Sequence, residues 1–354
     1  MQCDICIISP PHFKQCLPNH ENTGSIEQYC YALAKEFSKR GLKVVLWGNG
    51  SANPSPDFRI AYHFKSSTTN YYKLSPHRIA NHEIIHVSKC MNTIKAEIYL
   101  NHCISGIPIL ETLKPFYKFR ANTTMHWNLQ EDRIKDYLDA FPDHNYVIIS
   151  EHQRKYINGK NYKLIHPGVD SKEWSFSKNK NDYLFFIGRL VPSKGIDLAI
   201  KVAQICNTNL IIAGRRMDER YPNFFRDSIQ PYLNNKIKYI GEVSGEQKRN
   251  LFAKAKAVIC LGRWAEPFGL VMLEAVFSGT PVIAWNPGAS NCMIIDQVNG
   301  FTVDANDDVD AVKEAVKAVN KLCELHPQDV YEEVVNEFSL EQSVIRYLDF
   351  AQSK

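Results

Sequence analysis

Two carboxylates, Glu266 and Glu274, lie in the stretch Arg263-Trp-Ala-Glu266-Pro-Phe-Gly269-Leu-Val-Met-Leu-Glu274-Ala-Val-Phe-Ser-Gly279. Val258-Ile259 and Leu261 before it have the character of a buried strand end. Pro267 suits the start of a helix, Gly279 with Pro281 ends one, and Pro281-Val-Ile-Ala-Trp285 is the next strand. A strand, a loop and a helix start in that order make an anion site, because the first amides, here Gly269, Leu270 and Val271, have no partner inside the helix. Glu266 precedes the helix and Glu274 lies about two turns along it, where a carboxylate can accept hydrogen bonds from paired hydroxyls. Upstream, Gly188-Arg189-Leu-Val-Pro-Ser-Lys194-Gly195 ends the apolar run Tyr183-Leu-Phe-Phe-Ile and opens another helix. Two cations at a strand's carboxyl end beside a helix start are what a diphosphate needs as charge grows on it when a bond to it breaks. Taken singly, Glu266 is a capping acid, Glu274 a residue on a wet face, and Arg189 and Lys194 solvated charges. Their company in one half-sheet argues for a site.

The elements that must hold these residues follow a β-α-β rhythm that occurs twice. Cys3-Asp-Ile-Cys-Ile-Ile8 is a buried strand, and a polar loop runs from Ser9 to Thr23. Gly24-Ser25 opens a helix with Ile26, Tyr29, Cys30, Leu33 and Phe37 at helical spacing and Ser25 and Gln28 at capping-box spacing. Lys43-Val-Val-Leu-Trp47 is the next strand. Ala121 to His126 and Asn145 to Ser150 are further strand-to-loop edges. Leu164-Ile-His-Pro167-Gly168-Val-Asp170 has the turn chemistry of a domain crossing. The rhythm restarts at Tyr183 and continues through Asn209-Leu-Ile-Ile-Ala-Gly214, Lys238-Tyr-Ile-Gly241 and a helix from Ser244 to Ala255. A final helix begins at Ser339-Leu-Glu-Gln342, again at capping-box spacing.

At 354 residues the expectation is two domains. Residues 1–165 hold 20 Lys and Arg against 14 Asp and Glu, whereas the remainder is slightly acidic. That mild basicity suits an anionic acceptor or a peripheral membrane contact through the N-terminal half. It is too scattered for nucleic acid, and no cationic stripe with interleaved aromatics is present. Asp4 interrupts the first apolar run, so no leader is expected, and no run approaches the ~20 apolar residues of a membrane span. The 10 cysteines fall mostly inside apolar runs and suit a reduced, cytoplasmic protein. Cys3 and Cys6, three apart on a strand, are expected on opposite faces and not as a metal pair.

Four local patterns invite other readings. Gly48-Asn-Gly50-Ser-Ala-Asn53 begins like a dinucleotide fingerprint but lacks the third glycine and a following helix. His82-Glu83-Ile-Ile-His86 matches the zinc-protease pattern, yet Glu83-Ile-Ile-His-Val87 is a β-branched run that suggests a strand, with the imidazoles roughly 13 Å apart. Asn122-Thr-Thr124 is a glycosylation acceptor by pattern only. Asp308-Val-Asp310 resembles a metal-binding pair but stands at the start of an amphipathic helix, where acids are ordinary caps.

The Glu266 to Glu274 stretch, with Arg189 and Lys194, resembles the donor-site signature of the retaining glycosyltransferases of family 4, and the resemblance runs through nearly the whole chain. It implies the GT-B fold: two Rossmann-like, doubly wound α/β domains facing across a cleft. The N-terminal acceptor domain is expected at 1–166, the donor domain at 167–337, and a crossover helix at 338–354 returning to the first domain. The implied reaction moves a sugar from a nucleotide-diphosphate sugar to a glycan, lipid or small-molecule acceptor hydroxyl with retention, without a metal or other cofactor. By the resemblance, Arg189 and Lys194 neutralise the diphosphate with the amides of Gly269, Leu270 and Val271, Glu266 holds sugar hydroxyls, and Glu274 holds the ribose. His126 and the Gly24-Ser25 turn, where the family usually has Gly-Gly, approach sugar and acceptor. Arg215 and the backbone of Gly241 lie near the base. Cys292 stands where the family usually has a glutamate, and the His82 to His86 run is similar to the family's Asp-Ile-Ile-His strand. A non-catalytic sugar-nucleotide binder and, through His82 and His86, a zinc metalloprotease are the alternatives.

Overall fold

The computed structural model describes residues 1–12, 24–49, 57–62, 74–285 and 288–352. The Gly50 to Asn53 part of the incomplete fingerprint lies outside them. Contacts divide the chain into two units, Met1–Gly168 with Leu340–Lys354, and Val169–Ser339.

The first unit is built on strands β1 (Gln2–Ile8), β2 (Val44–Gly48), β3 (Arg59–Tyr62), β4 (Lys95–Asn101), β5 (Arg120–Met125), β6 (Tyr146–Ile148) and β7 (Tyr162–Leu164). They form one parallel sheet in the order β3-β2-β1-β4-β5-β6-β7. The second unit has β8 (Tyr183–Ile187), β9 (Asn209–Ala213), β10 (Ile237–Tyr239), β11 (Ala257–Cys260), β12 (Val282–Trp285) and β13 (Gly300–Val303). Its parallel order is β10-β9-β8-β11-β12-β13. Each is a doubly wound order that reverses once, between β1 and β4 and between β8 and β11. At such a reversal the flanking loops diverge beyond the carboxyl ends of the strands and leave a ligand crevice. The expected α/β class and its doubled sheet are therefore present.

Helices cover both faces, which is why the strands are apolar along their whole length, as in the fully buried Val44–Gly48. Along β1, Ile5 and Ile7 join a core with Tyr29, Leu33 and Phe37 of the helix Ser25–Lys39. The helix Leu340–Gln352 adds Val344 and Tyr347 to that same core, with the Tyr347 hydroxyl 2.8 Å from Thr124 Oγ1. Cys6 and Ile8 face the other way, and Cys3 joins them there, against the expectation that the two thiols diverge. The amides of Asp4 and Ile5 both donate to the Lys43 carbonyl where β1 meets β2, while the pairing with β4 keeps one register from Gln2 to Ile8. Burial and the nearby thiol hold Cys3 up at about 12, so this cluster is packing and not chemistry.

Three local expectations are corrected. The His82 to His86 run is not a strand but part of the long helix Pro76–Thr93, and the strand beside β1 is Lys95–Asn101. Ser75 caps this helix by accepting from the Arg78 amide, and Pro76 sits at its first turn. Its buried face consists of Glu83, His86, Val87 and Cys90, so half of the inward stripe is polar and the hydrophobic period is hidden. Ser25 is an exposed first helical residue, Gly24 is the cap, and the Gln28 amide turns to the Gly24 carbonyl, so no Ser25 box forms. Finally, the helix after Glu266 starts at Leu270 and not at Pro267, which puts Glu274 about one turn in.

Candidate functional site

All the donor-side residues foreseen in the sequence lie beyond the carboxyl ends of the second sheet. Arg189 and Lys194 follow β8, Arg215 follows β9, Gly241 follows β10 and Glu266 follows β11. The loops after β8 and β11 flank the strand-order reversal and touch. Gly195 has φ +70°, and a Cβ there would stand 1.8 Å from the Leu261 carbonyl oxygen, while the Arg263 amide donates to the Ser193 carbonyl at 2.9 Å. Only glycine combines that backbone with that approach.

The closeness brings two foreseen residues together. Lys194 Nζ lies 2.5 Å from Glu266 Oε2 and 4.7 Å from the centre of the Trp264 ring, so the ammonium is held by a carboxylate and an aromatic face at once. Arg189, on the same loop as Lys194, is exposed and its side chain has no hydrogen bond or ion pair among the described residues. Gly269, at φ +96° and ψ 62°, turns the chain into the helix Leu270–Phe277. Its carbonyl accepts from Met272 and Leu273, while the amides of Gly269, Leu270 and Val271 find no acceptor among the described residues. Phosphate oxygens are the natural acceptors for such amides.

Arg263 fixes the whole arrangement. Nη1 and Nη2 grip Asp197 at 2.9 and 2.6 Å, Nε and Nη2 grip Asp308 at 2.8 and 2.9 Å, and Nη1 also donates to the Pro192 carbonyl at 2.6 Å. Asp197 opens the helix Ile196–Ile205 and Asp308 the helix Asp308–Lys321, so one guanidinium ties the Glu266 loop to two helix starts and to the Lys194 turn. The Arg263 hydrogen bond holds Asp308 below its ordinary value. Asp307 is the cap of that second helix, accepting from Val309 and Asp310. Asp308 is thus half of a clamp in the first turn after the cap, and no cluster of His, Cys, Asp and Glu able to hold a metal occurs among the described residues.

Glu274 is mostly buried, and its Oε1 accepts from Lys248 Nζ at 2.7 Å. Its Oε2 is buried with no partner among the described residues. An ionised oxygen left so costs about 1–3 kcal/mol, which a hydroxyl donor would recover. Arg215 is half-buried and pairs with Glu219 at 3.2 Å, and Gly241, at φ +80°, accepts from the Gly214 amide at 2.8 Å. Cys292 ends a short turn of helix, half-buried.

In the first unit, the corresponding edge carries His102 after β4 and His126 after β5. His102 Nδ1 and His126 Nε2 are 2.7 Å apart with the rings stacked, and Tyr29, from the helix opened by Gly24, meets both edge-on at 6.1 and 6.3 Å. Burial pushes His126 down to about 3, and burial with the neighbouring imidazole pushes His102 well down, so both rings are neutral. One ring must then donate to the other, which fixes their tautomers as a pair. The zinc-like residues do not assemble a site. His86 Nε2 donates to the Ser9 carbonyl at 3.1 Å. Burial disfavours the Glu83 carboxylate, but hydrogen bonds from His12 at 2.9 Å and from the Ser105 amide at 3.0 Å outweigh it and hold Glu83 low. Sequence reasoning missed His102, Lys248, Trp264 and the Arg263 clamp. Only the position of Lys248 on a helix was visible, and it names no partner.

Residues 170–328 match the family model of glycosyl transferases group 1. The match lies within the second unit, which carries the loops after β8 and β11. An uncharacterized glycosyltransferase of Methanocaldococcus jannaschii is 34% identical over 125 residues, 34% of this chain and 31% of that protein. The chain thus spans about a third of the length of the curated relatives it matches first. In fold, the sucrose-phosphate synthase of Thermosynechococcus elongatus is similar with TM-score 0.81 and 16% identity, covering 98% of this chain and 97% of that one. HepE of Anabaena, solved in complex with UDP-glucose, is similar with TM-score 0.72 and 15% identity, covering 98% and 99%.

Proposed function

We propose that the protein is a retaining, metal-independent glycosyltransferase of family 4 that moves a hexose from a nucleotide-diphosphate sugar to an acceptor hydroxyl. The observation that carries this reading is the convergence at the β8/β11 reversal of exposed Arg189, the Lys194–Glu266 pair and three unpartnered helix-start amides. The neighbour solved with UDP-glucose supports the donor class. Arg189, Lys194 and the amides of Gly269 to Val271 take the diphosphate, and their attraction grows as the bond to the anomeric carbon breaks. The acceptor oxygen forms its bond to that carbon on the face the diphosphate leaves, and a leaving phosphate oxygen takes the acceptor proton. Glu266 accepts from sugar hydroxyls, the unpartnered Oε2 of Glu274 accepts from the ribose, and Arg215 and the Gly241 backbone flank the base. The first unit serves the acceptor side through Gly24, Ser25 and His126. The neutral rings of His102 and His126 suit hydrogen bonding to hydroxyls and do not suit a cationic role.

Calorimetric titration with UDP, GDP and ADP, with and without EDTA, tests the donor site. One nucleotide is expected to bind independently of EDTA, and Glu274→Ala to weaken it by about 1–3 kcal/mol. Turnover of the matching nucleotide sugar, with the product anomer read by NMR, then separates a retaining enzyme from a binder that turns nothing over. Failure of all three nucleotides to bind would overturn the reading.

A further inference from the structure

The amino ends of the first sheet carry a pattern that transfer chemistry does not use. Lys43 immediately precedes β2, Arg59 begins β3, Lys95 begins β4 and Arg120 begins β5. Every strand of the sheet runs the same way, so these cations belong to one edge, opposite the edge bearing His102 and His126. Neighbouring strands are ~4.8 Å apart. All four are exposed, and Lys43, Arg59 and Lys95 have no side-chain ion pair among the described residues, while Arg120 donates to the Ala351 carbonyl at 2.7 Å. The acids at these strand starts are Asp4, which accepts from the Lys43 amide at 2.7 Å, Asp57 and Glu97, and the helix ends and loops on this side add Glu36, paired with Lys39 and Arg40, Asp139, paired with Lys160, and Asp143.

Beside this edge, the turn before β5 holds two aromatic rings in solvent. Phe116 is 77% exposed and Tyr117 61% exposed. Both amides donate to the Leu113 carbonyl, at 3.0 and 3.1 Å, and Phe119 packs on Tyr99 with ring centres 5.2 Å apart, so the turn is anchored and its tip projects. Residues 112–120, Thr-Leu-Lys-Pro-Phe-Tyr-Lys-Phe-Arg, include three cations and no acid. Lys114 is 3.5 Å from Glu111, whereas Lys118 is exposed without an ion pair among the described residues.

We propose that this edge docks on an anionic lipid surface, with Phe116 and Tyr117 entering the interfacial zone and Lys118, Lys95, Lys43 and Arg59 meeting the headgroups. Exposed rings of this kind gain from an interface that takes the apolar ring and solvates its surroundings. Each basic residue near such a surface adds attraction that falls off within a Debye length. No helix among the described residues is long and apolar enough to cross a membrane, so the contact is peripheral.

Sedimentation of the purified chain with vesicles of phosphatidylglycerol in phosphatidylcholine, against phosphatidylcholine alone, tests this. Binding is expected only to the anionic vesicles and is expected to weaken as salt rises. Lys95→Glu with Lys118→Glu is expected to lower the partition at least about twentyfold, and Phe116→Ser with Tyr117→Ser about tenfold. A Phe116→Trp reporter is expected to shift to the blue on anionic vesicles and to be quenched by brominated acyl chains. The proposal is overturned by no binding at low salt, by equal binding to both vesicle types, or by a reporter that stays in water. Equal affinity for soluble polyglutamate, unaffected by the serine substitutions, would instead assign the edge to an acidic protein partner. Nucleotide titration of the charge-reversed chain stays normal in every case, so failure here is separable from failure of the donor site.

Discussion

Replacing Arg263 by methionine removes five hydrogen bonds, four of them to two carboxylates, while keeping much of the apolar stem. A charged hydrogen bond contributes about 1.5–3 kcal/mol, and stranding a fully buried partner would cost about 3–5 kcal/mol. Arg263 is 26% exposed and Asp308 45%, so water can rehydrate much of what is stranded, and we expect a loss of about 2–3 kcal/mol. The assay is urea unfolding at neutral pH, with Asp197→Asn and Asp308→Asn completing double-mutant cycles. Because Asp308 is held below its ordinary value, its share is present above the ordinary carboxylate range and is lost as pH falls through its lowered folded value. The gap between wild type and Arg263→Met should therefore narrow in acid. Glu266 stands three residues on and Pro192 two before Lys194, so nucleotide affinity should fall together with stability. A variant within about 0.5 kcal/mol of wild type, binding nucleotide normally, would refute the clamp.

Three further outcomes follow from the same geometry. Lys248→Met leaves Glu274 mostly buried without its cation, so nucleotide binding should weaken by about 1–3 kcal/mol, and a normal titration would remove Lys248 from the site. His126 and His102 both titrate lower when folded than when unfolded, so the unfolded chain takes up protons first and stability should fall as pH drops below about 6.5, for His126 down to about 3 and by up to about 1.4 kcal/mol per pH unit for that ring. Replacing His126 by Asn should flatten that profile, and an unchanged profile would show that the rings are not held neutral. Gly195→Ala meets both a positive φ and the Leu261 carbonyl oxygen, so thermal unfolding should reveal a loss of more than about 1 kcal/mol, with nucleotide affinity reduced as the Lys194 turn shifts.

The chain itself determined the doubled β-α-β rhythm and which residues were candidates for a donor side, because these signals are local. Apolar runs such as Tyr183–Ile187 and Val282–Trp285 are strands on composition alone, and Gly195 and Gly269 mark turns whose backbone needs them. The stretch from Pro76 to Thr93 was not legible in this way. Its inward face includes Glu83 and His86, whose burial is permitted only by partners at His12, Ser105 and Ser9, far off in sequence. The Ile84-Ile85 pair then looks like a strand, while β4, next to it, went unnoticed because Lys95, Glu97 and Asn101 dilute its apolar residues. Cys3 and Cys6 diverge by period but join one apolar cluster with Val87, Cys90 and Tyr99, which only the packing of the long helix and β4 decides.

Within the candidate site the division is the same. Residue types and spacing determined which groups could serve a diphosphate and a ribose. Only the tertiary structure decided that Lys194 pairs with Glu266, that Arg263 clamps Asp197 and Asp308, that Lys248 takes one oxygen of Glu274 and leaves the other unpartnered among the described residues, and that His102 backs His126. Those pairings join residues 24 to 72 positions apart, and charge or hydrogen-bond complementarity carries no periodicity along the chain. Parallel strands wound in a reversing order bring the loops after β8 and β11 side by side, and that adjacency selects one partner among many eligible residues.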